Sequence, residues 1–181
     1  IVLQTAYKQE YVINAKDAAN AFPSLNRQAL ATAIKEHLPQ ALQTCKNIYS
    51  FPSPTFFQYT EDGTCHIDVS FMDDGIKIGC TSASLFFNVS VHDAVYSQLP
   101  TNDKYVEKNV ALTDDHFEVM KPPPRGSPLE AFEEFYDAVA ARISLFAQLA
   151  SKIGIMLTKE VLFLLMQLEH MRQVARVRMV Q

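Results

Sequence analysis

The chain has 181 residues, 48% of them hydrophobic and 20% charged, with a net charge of -4. That length and mix suit one domain, or one domain with an appendage, able to bury a core without disulfides or metals as staples. A dedicated nucleic-acid binder usually carries a basic excess, so the acidic balance makes nucleic acid an unlikely partner and leaves a protein partner or a homo-oligomer open. The three cysteines, Cys45, Cys65 and Cys80, include no Cys-x-x-Cys and read as reduced. An intracellular, cytoplasmic location is expected. The longest apolar run, Val161 to Met166, is far short of the roughly 20 residues of a membrane span, so no membrane span is expected. Ile1-Val2-Leu3 lacks the cationic flank of a signal peptide. The sequon Asn88-Val89-Ser90 falls inside an expected strand, where a glycan would be awkward.

In chain order, Gln9 to Asn14 reads as a short strand. Ser24 can cap a helix from Leu25 that carries Leu30, Ile34 and Leu38, and Pro39 ends it or opens the next helix, which carries Leu42 and Cys45. Phe51-Pro52-Ser53-Pro54 breaks the pattern. Phe56, Phe57 and Tyr59 lead into the turn Glu61-Asp62-Gly63, after which Cys65, Ile67, Val69 and Phe71 alternate with polar residues. A second Asp-Gly signal, Asp73-Asp74-Gly75, is expected to turn the chain into a strand through Ile76, Ile78 and Cys80, and Leu85 to Val91 into a further strand. The product would be an antiparallel β-meander, with Cys65 and Cys80 as small buried hydrophobes on one face. His116 to Met120 reads as one more strand, and Ser97 to Thr113 has no clear assignment.

Lys121 to Gly126, with three consecutive prolines, marks a link between residues 1–120 and 127–181. Ser127-Pro128-Leu129-Glu130 has the form of a helix start. Leu129, Phe132, Tyr136, Val139, Ile143, Phe146, Ala150 and Ile153 then follow 3-4 spacing up to Gly154, which suits a left-handed helix end. Thr158 can cap a second helix with Val161, Leu164, Leu168, Met171 and Ala175 in register. Antiparallel packing about the turn would pair Lys152 with Glu160, Arg142 with Glu169, Asp137 with Arg176 and Glu134 with Arg178. The fold class is therefore α+β: N-terminal helices, an antiparallel β-meander and a C-terminal antiparallel helical hairpin.

No motif for a phosphate-cradling loop or a nucleophile elbow is present, and no cofactor is expected. The acidic pairs Glu61-Asp62, Asp73-Asp74 and Asp114-Asp115 read as turn or helix-start residues. His66 and Asp68 share one strand face, and with His92 or His116 they could form a two-histidine, one-carboxylate metal site. A strand whose solvent face happens to be His-Asp-Ser is the simpler reading, and no metal is expected. The basic residues His170, Arg172, Arg176 and Arg178 could form a nucleic-acid patch, but two of these arginines already have acidic partners in the hairpin register. Leu162, Phe163, Leu165 and Met166 lie outside the intrahairpin seam and are the candidate interface. The expected function is a non-enzymatic interaction module, a subunit or adaptor of a larger assembly. A small ligand-binding or metal-dependent enzyme domain, with its site near His66, Asp68 and His92, is the alternative.

Overall fold

Val12–Ala19 forms β1, the strand on which the rest of the sheet is built. The computed structural model describes residues 11–164. Asn20 takes a left-handed backbone (φ 47°) and turns the chain into α1, Ala21–Ser24. Helix α2 spans Arg27–His37, its first amides held by the side chain of Asn26 rather than by Ser24. A short 3-10 turn at Pro39–Ala41 leads into α3, Leu42–Tyr49. Strands β2 (Ser53–Glu61) and β3 (Thr64–Met72) pair about Asp62-Gly63, as the turn signal requires. Helix α4 (Ala83–Ala94), a 3-10 turn at Tyr96–Gln98, the hairpin β4 (Val106–Leu112) and β5 (Asp115–Met120), the long α5 (Leu129–Ser151) and β6 (Met156–Leu164) complete the order.

Among the described residues two separate sheets result. One is antiparallel in the order β4-β5-β1-β6, and the other is the isolated ribbon β2-β3. Helices α2 to α5 share a core with Leu25, Leu30, Ile34, Phe86, Phe87 and Phe146. A smaller cluster joins Val12 and Met120 of the sheet to Tyr105, Phe135 and Val139. Arg27 ties the ribbon to the body: its guanidinium donates to the carbonyls of Phe51, Met72 and Gly75.

The α+β class and the antiparallel sheet agree with the sequence reading, but the meander does not extend past β3. Gly75 and Gly79 take positive φ, and the amides of Gly75 and Ile76 donate to the carbonyls of Leu25 and Phe22, so no ladder to β3 forms there. Leu85 to Val91 is helical. It buries Phe86, Phe87, Ser90 and Val91 on one face, and an apolar run this short fits either period. Cys65 is consequently exposed opposite Thr60, Cys80 is half-buried, and Cys45 is the buried thiol.

The first helix of the expected C-terminal hairpin is α5, which ends at Ser151 and is followed by a turn closed at Gly154 with φ 83°. Its buried face includes Val139, Phe146, Ala150 and Ile153 as expected, but also Phe135 and Arg142, whereas Leu129 is exposed. Residues 156–164 do not continue as a helix from Thr158. They run as β6 along β1, whose open edge offers backbone hydrogen bonds that outweigh helical spacing. Arg142 and Glu134 bond to Glu118 and Lys104. Leu165, Met166, Glu169 and the basic end fall outside the described residues.

Candidate metal centre

Alternation along the strands decides what the two faces of the sheet carry. Asn14 and Lys16 of β1 and Glu118 of β5 share the face covered by α5. Asn14 Nδ2 and Lys16 Nζ donate to Glu118 Oε2 at 2.9 and 2.7 Å, and Arg142 of α5 reaches Oε1 at 2.6 Å. Asp17, one residue from Lys16, and Asp115, three from Glu118, stand at odd spacing and so alternate to the opposite face. Lys16 pairs with His116 at the end of the β1–β5 ladder, and Asp17 and Asp115 follow just beyond that pair, Asp17 standing across from Lys159 of β6. Asp114 occupies the two-residue turn between β4 and β5. The charges of Asp114 and Asp17 act on Asp115, so three carboxylates lie near one another at this end of the sheet.

Three departures from ordinary strand chemistry coincide there. Like charges brought close on neighbouring strands weaken a sheet, and the charges of Asp17 and Asp114 both reach Asp115. Burial raises the Asp115 carboxyl above its usual range, and the neighbouring charges of Asp114 and Asp17 raise it further. Thr113, a β-branched residue, holds φ 56° at the hairpin tip, a conformation costing on the order of 1–3 kcal/mol. The β1–β6 ladder shifts register between Asp17 and Ala18, the kind of irregularity that re-aims a strand side chain. Tyr96, stacked on His116 with centroids 5.1 Å apart, feels the same carboxylates: burial first, then Asp114 and Asp115, push its hydroxyl up to about 12.

The residues anticipated from sequence are dispersed. His66 and Asp68 sit on β3 of the separate ribbon, where His66 stacks on Tyr59 at 5.3 Å. His92 is exposed on α4, and His116 is buried on the helix-covered face. Among the described residues they do not converge as a ligand set, whereas Glu36, His37 and Asp93 bring donor atoms within 4.8 Å of one another. The latter is an exposed surface cluster built on a His37–Asp93 contact of 2.6 Å between α2 and α4. Leu162 and Phe163 lie on β6, opposite Asn14 and Ile13. Asp17 was missed by the sequence reading. Its signal was an aspartate, a residue depleted in strands, inside the apolar stretch that pairs with the strand following Asp114-Asp115.

With β1 and the β4–β5 hairpin side by side in one sheet, the arrangement can be compared with known folds. The fold is similar to that of telomerase. Apo telomerase from Candida tropicalis superposes with TM-score 0.58 at 13% identity, covering 90% of this chain and 30% of that one. The same telomerase truncated from its C-terminal domain gives 0.54 at 14% identity, covering 90% and 33%. Telomerase from Candida albicans, in complex with a TWJ fragment of telomeric RNA, gives 0.46 at 14% identity, covering 89% and 28%. The chain thus spans about a third of the length of these telomerase chains. No family model matches the sequence, and no curated protein matches it. No helix among the described residues is long and apolar enough to cross a membrane.

Proposed function

We propose that this chain is the catalytic sheet of a metal-dependent nucleotidyl transferase acting on nucleic acid, with Asp17, Asp114 and Asp115 as the metal-holding residues. The observation that carries the reading is the nearness of three carboxylates where β1 adjoins β5: the charges of Asp17 and Asp114 both act on Asp115. Carboxylates gathered in one place repel, and divalent cations reduce the repulsion. The donors are hard oxygens, and the nearest histidine in sequence, His116, belongs to the other face, so the set fits magnesium or manganese better than zinc. Such ions, when bound in a pair, stabilise the attacking and leaving oxygens of an in-line phosphoryl displacement, the chemistry of polymerases. The telomerase-like fold supports the same class.

The chain's own residues supply the remaining parts. Asp17 contributes from β1, Asp114 and Asp115 from the hairpin tip, and the same face presents Ala15, Phe117 and Val110, half-buried and apolar, beside them. Nucleic acid therefore enters as the substrate, and the overall acidic charge is no obstacle, because the cations mediate between carboxylates and phosphates. The test is incorporation of labelled nucleotide onto a primer–template with magnesium or manganese. Incorporation should vanish in Asp17→Asn and Asp115→Asn. Incorporation that survives both substitutions would sink the reading.

A second reading, the non-enzymatic subunit, is favoured by the ribbon. One face of β2-β3 carries Phe56, Ile67, Val69 and Phe71, between 47% and 67% exposed. An isolated two-stranded ribbon of this kind is marginally stable without a covering surface. If a subunit role is the whole function, substitutions of Phe56 and Ile67 to serine abolish assembly while Asp115→Asn changes nothing measurable.

A further inference from the structure

Behind the carboxylates lies a buried charge network with no contact to solvent to justify it. Lys16 is 2% exposed, Glu118 0% and Arg142 4%. Glu118 is the hub: it accepts from Asn14, from Lys16, and from Nε and Nη2 of Arg142 at 2.9 and 2.6 Å. Arg142 continues through Nη1 to Asp103 Oδ2 at 3.1 Å and to the carbonyl of Pro100 at 3.3 Å. Lys16 Nζ also stands 3.5 Å from His116 Nδ1. The network therefore joins β1, β5, α5 and the loop before β4.

A set of apolar side chains of the same volume would hold these elements together at least as well, since desolvating buried ions offsets most of their attraction. What ions add is geometry: a bidentate guanidinium and an ammonium on one carboxylate accept little displacement of the strands. Those strands are the ones that carry Asp17, next to Lys16, and Asp115, next to His116. We infer that Lys16, Glu118 and Arg142 are positioning residues, which fix β1 against β5 and so set the spacing of the metal-holding carboxylates on the other face. The inference rests on the metal-dependent reading above.

The experiment is manganese binding to the whole chain, followed by the loss of free-ion signal in electron paramagnetic resonance, with the bound-ion line shape recorded alongside. The variants are Asp115→Asn, the neutralising pair Lys16→Met with Glu118→Gln, and the milder Asn14→Ala, which removes one bond to Glu118. Thermal unfolding is measured for each. Outer residues that orient metal ligands typically change affinity 10- to 100-fold. The paired variant should weaken manganese binding by roughly ten-fold or more and alter the line shape while the protein stays folded. Should the pair fail to fold, Asn14→Ala carries the test, with an expected weakening of roughly three-fold, scaled down from that range for one lost bond. A folded variant that binds manganese as tightly as the wild type, with the same line shape, overturns the positioning role. If Asp115→Asn also binds as the wild type does, the metal-dependent reading falls and this inference with it. If Asp115→Asn loses the ion and the network variants keep it, only the positioning role falls.

Discussion

Asp115 feels like charge from two neighbours, so its neutralisation should stabilise the metal-free protein. Relief of one cross-strand repulsion is worth up to about 1 kcal/mol, or roughly 2–4 °C in melting temperature for a chain of this size. Asp115→Asn is therefore expected to melt higher than wild type without divalent ions and to lose the wild type's gain on adding magnesium. Differential scanning calorimetry with and without the ion checks both parts. His116 behaves oppositely to an exposed histidine. Burial holds its pKa down to about 4, with the charges of Lys16 and Arg142 adding to the depression and Glu118 opposing it. Because the folded value lies below the unfolded one of about 6.5, the unfolded chain takes up the proton first, and stability present above pH 6.5 is lost as pH falls toward 4. Urea midpoints at pH 7 and pH 4.5 should show wild type losing roughly 2–3 kcal/mol more than His116→Phe, which keeps the stack on Tyr96 and Phe146 without the titrating group.

At the scale of elements, two glycines lock the segment that follows β1. A Cβ at Gly75 would stand 2.0 Å from the Pro23 carbonyl oxygen, and one at Gly154 would stand 2.4 Å from that of Ser24. Both positions also require positive φ. Gly154→Ala should cost roughly 3 kcal/mol, from strain and displaced backbone together, read as a lower urea midpoint with unchanged slope. Arg142→Met leaves the buried Glu118 without its bidentate partner and should cost about 3–5 kcal/mol, with less than additive loss when combined with Glu118→Gln. Arg142 also shows why part of the architecture was hidden in the sequence. Its charge suggested a solvent-facing partner at Glu169, yet it is buried, and nothing in helical spacing distinguishes a buried arginine from an exposed one. The ribbon β2-β3, the strand at His116–Met120, the long helix α5 and the turn at Gly154 after it were legible, because each follows from local periodicity or turn chemistry. Helix α4 and strand β6 were not, because short apolar runs fit both periods and only the neighbouring strand or core decides between them.

At the scale of the whole molecule, the candidate site was illegible for a related reason. Asp17 and Asp115 are 98 positions apart in sequence, and only the order β4-β5-β1-β6 brings them to one place. Asp114-Asp115 read as a turn or helix start; Asp114 does lie in the β4–β5 turn, Asp115 begins β5, and their nearness to a third carboxylate is a property of topology. The departures from ordinary strand chemistry at this point, neighbouring like charges, a strained Thr113 and a ladder shift, lie on one small region of an otherwise regular sheet, the pattern expected where function overrides local preference. The most direct test of the central claim is the anomalous difference map of a crystal soaked in manganese. The account predicts a peak between Asp17 and the Asp114–Asp115 turn that disappears in Asp115→Asn. A map with no peak there, and manganese instead at Glu36, His37 and Asp93, would contradict it.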